Sequence, residues 1–353
     1  MTQKIKNRKH KKIYFIRSNQ TKFGGAEVYL SRLTKILANK NIDHCVINSK
    51  FPNFLPSWAR LIFFNIQVSF FKGKRFYFSL ERIICPDVYR AGDGVHKTFL
   101  KIEKKSKLNP LHPLYLFLEK KCFKNAKKII ANSQMVKKDI IETYEVNPDK
   151  IRVVYSGIEL RHFNFKHSYD KLSNEFGFKK QMSIILFVGT GFKRKGVNEF
   201  LKIIAAIESK EVVAFIVGKE KNLSYYKTLA QNLGIEKRVF FTGPRIDVND
   251  FYSISDIFLF PTHYEPFGNV ILEAMNANNI VFTTIQNGAS EILSEDFLMQ
   301  RPDDFSVVEK IDKLLKNPKQ MKLIQENNRE ISSKFSIEAN LERTLEIINE
   351  VID

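Results

Sequence analysis

Cysteine, tryptophan and long apolar runs are scarce in this chain. The three cysteines among its 353 residues, Cys45, Cys85 and Cys122, lie far apart and lack metal-ligand spacing. That argues against a disulfide framework and for a reducing compartment. The longest apolar stretch, "LIFFNIQVSFF" at 61–71, is about half of what a spanning helix needs. The first apolar run, "IYFI", is too short for the core of a secretory signal. A soluble or membrane-peripheral, cytoplasmic protein is expected.

Acidic residues are scarce in one half only. Residues 1–170 carry 34 Lys and Arg against 13 Asp and Glu, while the rest carry 23 against 25. The whole net charge of +19 therefore originates in the first half. Such an excess suits nucleic acid, an anionic membrane surface or an anionic substrate, and part of it suits simple solvation by lysine.

What is present is an alternation of short apolar runs with helical segments, the grammar of βαβ units on parallel sheets. "KIYFIRS", "HCVINS", "KKIIANS" and "KIRVVYSGI" read as strands in the first half, and "SQMVKKDIIETY" as a helix opening at a Ser cap. Residues 97–128 read as lysine-studded helices. "SIILFVG", "VVAFIVG", "RVFFTG", "DIFLF" and "NIVFTT" repeat the grammar in the second half. The polar segment 160–182 reads as the linker. An α/β fold of two doubly wound domains follows: residues 1–170, residues 171–335, and a terminal helix at 336–353 packing back on the first domain. Residues 57–78 interleave aromatics with Lys72, Lys74 and Arg75. They read as one or two buried strands, with an interfacial membrane anchor as the alternative.

The densest chemical signal is "FLFPTHYEPFGNVILEAM" at 258–275, a strand, a turn at Gly268 and an amphipathic helix. Glu265 and Glu273 bracket the turn. A strand–turn–helix aims backbone N–H groups and the positive end of a helix dipole into a crevice, where an anion or hydroxyl-rich ligand fits. A helix cap and a solvated surface carboxylate are the plainer alternative.

Seven segments together, "FGGAE" (23–27), "ANSQMVKKDI" (131–140), "VVYSGIE" (153–159), "FVGTGFKRKG" (187–196), "RVFFTG" (238–243), "PTHYEPFGNVILEAM" (261–275) and "NGASEIL" (287–293), resemble retaining, nucleotide-sugar-dependent glycosyltransferases of family 4. Within that family "DVYRAGDGVHKTFL" (87–100) is most similar to the enzymes that build lipopolysaccharide core, such as the core glucosyltransferases.

The resemblance implies the GT-B architecture, two Rossmann-like domains facing a central cleft. It also implies transfer of a hexose, glucose first, from a UDP-linked donor to a lipopolysaccharide or lipooligosaccharide core acceptor. Glu265 would face the transferring sugar and Glu273 the donor ribose. Arg194 and Lys195 would neutralise the leaving diphosphate, since charge that develops there needs cations in place. Gly24, Gly25 and Gly189 would let backbone approach the phosphates. Phe267, Gly268 and Asn269 would hold sugar hydroxyls or phosphate oxygen at the helix start, and the loop carrying Arg245 would seat the base. Asp93 and His96, with Glu265, are the candidate catalytic residues, the first two as acid–base or acceptor-orienting groups. The implied partners are the nucleotide sugar, an anionic glycolipid or saccharide and the inner membrane surface, with no metal, cofactor or nucleic acid. Thr262-His263 stands where the family often has Ser-Lys or Ser-Arg, which leaves the donor sugar open. A sugar-nucleotide epimerase, a glycogen-type synthase and a basic nucleic-acid-binding protein are the alternatives.

Overall fold

The central runs of β-branched and aromatic residues become strands buried along both faces, as parallel sheets covered by helices require. The computed structural model describes residues 12–18, 25–52, 54–103 and 109–352. It divides into two units, one running to Tyr155 and resuming at Ile337, the other spanning Ser156–Ser336.

The first unit contains β1 (Ile13–Ile16), α1 (Gly25–Asn39), β2 (His44–Ile47), α2 (Ser57–Phe70), β3 (Phe76–Ser79) and β4 (Val88–Ala91). α3 (His96–Glu103), α4 (Leu111–Asn125), β5 (Lys128–Ala131), α5 (Gln134–Tyr144) and β6 (Ile151–Val153) follow. Its strands pair in parallel in the order β2-β1-β3-β4-β5-β6. Alternate residues serve opposite faces: Val88 and Ile130 join Leu33 and Leu37 of α1, while Tyr89 and Ile129 join Phe123 of α4 and Ile140 of α5. Ser133 caps α5 by accepting from the Val136 amide.

The second unit runs α6 (Phe165–Phe176), β7 (Ser183–Val188), α7 (Phe192–Lys195), α8 (Val197–Ala206), β8 (Val212–Val217), α9 (Leu223–Asn232) and β9 (Val239–Gly243). It continues with α10 (Val248–Ile254), β10 (Ile257–Phe260), α11 (Asn269–Asn276), β11 (Ile280–Thr284), β12 (Leu298–Met299), α12 (Ser306–Leu315) and α13 (Pro318–Ser333). Its sheet order is β12-β11-β10-β7-β8-β9, again parallel throughout. The last helix, α14 (Ile337–Asn349), belongs to the first unit and buries Leu341, Ile347 and Ile348 in the α1 face of its core.

Three sequence expectations need correction. The boundary falls at Tyr155, not near 170. The segment read as a linker holds α6, capped at Asn164 and stopped by Gly177 at φ 71°. Only Ser168 and Leu172 of α6 are buried, too little apolar signal for a sequence reading. Residues 57–70 form a helix rather than a strand, because Leu61, Phe64 and Val68 meet the core on one helical face. A run that is apolar on every side hides that period.

Candidate active site

The second sheet reverses its strand order between β7 and β10. Ligand crevices of doubly wound sheets open at the carboxyl ends of strands at such a point. The two loops there are residues 189–196 and 261–268, and they are laced together. The His263 amide donates to the Arg194 carbonyl at 2.9 Å and Thr262 Oγ1 to the same oxygen at 3.2 Å. A Cβ on Gly196 would stand 1.8 Å from the Pro261 carbonyl oxygen, and φ there is +79°, so no other residue fits without moving a loop.

This lacing brings Arg194, Lys195 and Glu265 together. Arg194 Nη1 lies 3.0 Å from Glu265 Oε2 and also donates to the Tyr264 carbonyl at 2.5 Å. Lys195 Nζ lies 3.4 Å from the same carboxylate oxygen and 5.2 Å from the Phe260 ring centroid, its stem against Gly189. Burial alone would raise the Glu265 carboxyl, but Lys195 and Arg194 outweigh it and hold it below the ordinary range. Two cations against one carboxylate leave the cluster with a net positive charge, suited to an incoming anion.

Gly268, at φ +71°, turns the chain into α11, which starts at Asn269 without a capping side chain. A Cβ there would sit 3.1 Å from Glu265 Cγ, so the turn and the carboxylate share one pocket of space. Phe267 is buried and anchors the turn. Glu273 lies on the same helix and accepts from the Tyr252 hydroxyl of α10 at 3.2 Å. Arg245 stands apart from this group. Its guanidinium is bidentate to both Glu175 and Asp247 and lies against Phe251, a strut between α6 and the β9–α10 loop. As a side chain it is committed to that network.

In the first unit the strand order reverses between β1 and β3. Past their ends Arg17 pairs with Glu27 at 2.9 Å and Glu81 at 3.1 Å, and Ser18 Oγ donates to Glu81 at 2.7 Å. A cavity of about 520 Å³ opens beside them, with Ser18, Asn48, Ser49, Ser57, Arg60 and Tyr115 in its wall. Asp93 is exposed after β4. His96 opens α3, shares a hydrogen bond with His112 at 3.2 Å and lies 5.0 Å from the Tyr115 ring. Burial first, then the Arg82 charge, lowers the His96 imidazole to about 4, so it is neutral at pH 7. The fully buried Glu119 accepts from the His96 amide at 2.8 Å, Arg82 Nε at 2.8 Å and the Tyr144 hydroxyl at 2.6 Å. Gly25 begins α1, and Gly24 lies outside the described residues.

Sequence reasoning missed Glu119, Tyr252 and Glu199, the last of which pairs with His263 at 3.3 Å. Glu119 had a signal: it occupies the row of Leu118, Cys122 and Phe123 that α4 buries. Tyr252 and Glu199 had none, since their roles arise from tertiary approach.

A doubly wound unit with a cation pair, a half-buried carboxylate and an uncapped helix start at its switch point has the chemistry to receive an anionic, hydroxyl-bearing ligand. Residues 168–331 match the family of glycosyl transferases group 1, and residues 89–162 match glycosyltransferase family 4. The first match takes up just under half of the chain, and both matched stretches are similar to glycosyltransferases. The lipopolysaccharide glucosyltransferase WaaG of Escherichia coli (strain K12) is 27% identical over 219 residues, 59% of this chain and 58% of the relative. A crystal structure of WaaG, a glycosyltransferase involved in lipopolysaccharide biosynthesis, has the same fold at TM-score 0.81 and 21% identity, over 95% of this chain and 99% of that one. Anabaena Alr3699/HepE in complex with UDP and glucose matches at TM-score 0.74 and 19% identity, over 97% and 100%. The chain spans less than two thirds of the length of the curated relatives it matches.

Proposed function

We propose that the protein is a retaining glycosyltransferase that moves a hexose, glucose first, from a UDP-linked donor to an anionic saccharide or glycolipid of lipopolysaccharide-core type. It would work without a metal or cofactor, in the cytoplasm at the inner face of the membrane. The observation that carries this reading is the Arg194–Lys195–Glu265 cluster at the β7/β10 switch point. The UDP and glucose bound by Alr3699/HepE support the choice of donor.

In the proposed reaction the bond between the sugar's anomeric carbon and the diphosphate oxygen breaks. Arg194 and Lys195 take up the charge that develops on the leaving group, where preorganised cations act most strongly. The acceptor oxygen bonds to the same face of the anomeric carbon, and its proton passes to the leaving phosphate oxygen. Glu265 then stands against the positive charge that builds on the sugar, and its depressed carboxyl keeps it ionised. Glu273, steered by Tyr252, accepts from the ribose hydroxyls. Asp93 and the neutral His96 position the acceptor rather than deprotonate it.

A thermal-shift panel of nucleotides and nucleotide sugars with chelator present tests the donor assignment. One UDP species should stabilise the wild type selectively, and Glu273→Ala should lose the shift. A shift that requires divalent metal, or salt-sensitive RNA binding with no nucleotide response, would overturn the reading.

A further inference from the structure

Helix α2 is apolar on both faces, and only one of them has a partner among the described residues. Leu61, Phe64 and Val68 enter the core of the first unit. On the other side Trp58, Ile62, Ile66 and Phe70 recur every four residues, with Ile66 59% and Phe70 81% exposed. Phe63 lies beside this row, and exposed Phe54 and Phe71 extend it at both ends. Residues 54–71 thus hold seven of the sixteen large apolar side chains exposed among the described residues. The outer face of a surface helix is ordinarily polar, and a contiguous exposed apolar patch marks a docking site.

The charge around the patch chooses the occupant. Residues 44–80 include Lys50, Arg60, Lys72, Lys74 and Arg75 and not one Asp or Glu. Lys72 turns to Asp87. Lys50, Lys74 and Arg75 form no ion pair among the described residues, and Lys50 and Arg75 lie against the Phe71 ring. A second copy of the chain would set cation against cation across this face. Anionic lipid head groups answer both the apolar row and its basic rim, at about 1 kcal/mol per basic residue near the surface. No helix of the described residues is long and apolar enough to cross a membrane. At 14 residues, α2 is suited to lie in the interface plane.

We propose that the outer face of α2 is a docking surface for an anionic lipid bilayer. The helix lies among the head groups with Trp58, Ile66 and Phe70 below them and the cations at their level. This deepens the membrane placement proposed above, but it rests on the helix and not on the transfer chemistry. Ser57, Arg60 and Leu61 of the same helix line the 520 Å³ cavity, so docking sets that cavity beside lipid-borne head groups.

Trp58 is the only tryptophan in the chain and reports directly from the proposed contact. The full-length protein is titrated with vesicles of phosphatidylcholine and with vesicles enriched in phosphatidylglycerol. The anionic vesicles should shift Trp58 emission to the blue, and brominated acyl chains should quench it. Ile66→Ser with Phe70→Ser should weaken binding at least about tenfold. Ile246→Ser, a control at a 97% exposed position in the second unit, should leave binding unchanged. Unchanged circular dichroism and melting temperature show that the double variant is folded. Trp58 emission indifferent to both vesicle types would overturn the proposal. So would a concentration-dependent dimer that Phe70→Ser dissolves without any vesicle binding. Vesicle binding in a protein that ignores every UDP species would leave the docking surface standing and remove the transfer reading.

Discussion

The two switch points share a strand logic and differ in their ion pairs. In the second unit Arg194 and Lys195 face a single carboxylate, Glu265. In the first, Arg17 faces two, Glu27 and Glu81. The cation pair does not follow the distribution along the sequence, where residues 1–170 hold the entire basic excess. Much of that excess sits on exposed lysines such as Lys97, Lys101, Lys120 and Lys124. The charge of a half-chain therefore says little about its site. What a ligand meets is set by two short segments, and the cation pair of Arg194 and Lys195 stands in the electrically balanced half.

The largest effect should come from removing that asymmetry. Arg194→Ala with Lys195→Ala leaves Glu265 without its cations and a leaving diphosphate without neutralisation. Loss of preorganised charge stabilisation is worth about 10²–10³ in rate for a single donor. We expect at least about 10³ in turnover for the pair, measured as UDP release, together with loss of the UDP-induced thermal shift. Arg17→Ala should leave the thermal shift intact. If both variants lose it equally, the contrast between the two crevices fails.

Glu119→Gln probes the first unit with a smaller, structural effect. Arg82 is buried against Glu119, and the same carboxylate holds the His96 amide and the Tyr144 hydroxyl. Removing one partner of a buried pair costs about 3–5 kcal/mol, because the other charge stays buried. Some of that is spared by the amide's remaining polarity, so about 3 kcal/mol is expected. Differential scanning calorimetry should show the first unit melting earlier while UDP still stabilises the second. A single unshifted transition would mean that Glu119 is not the hub of this loop.

Most of the fold was legible because parallel strands covered on both sides read as unbroken apolar runs, as in "SIILFVG" and "VVAFIVG". The Arg194–Lys195–Glu265 cluster was legible for a related reason. Arg194 and Lys195 in the short α7 and Glu265 in the loop after β10 follow such strands closely, so the topology itself places them together. Helix α2 was misread because its outer face is as apolar as its inner one, which erases the period that separates helix from strand. Helix α6 was missed for the opposite reason, too few buried side chains. The Arg245 strut and the Tyr252–Glu273 bond connect residues 21 to 70 positions apart, and no local pattern announces such a meeting.

The smallest effect concerns His96; in the second unit His263 is paired with a carboxylate. Burial and the Arg82 charge lower His96 from 6.5 to about 4, with His112 adding to the depression and Glu119 opposing it. A folded-state value below the unfolded one means that the unfolded chain takes up its proton first as pH falls. Stability is then fully present above about pH 6.5 and declines toward pH 4, where the folded state also protonates. The ring is only half buried, so solvent screening should reduce the contribution to about 1–2 kcal/mol. Urea unfolding at pH 7 and pH 4.5 should show this loss in the wild type and a smaller one in His96→Asn. Parallel pH profiles for the two proteins would mean that His96 is not held neutral by the fold, and its positioning role would need another basis.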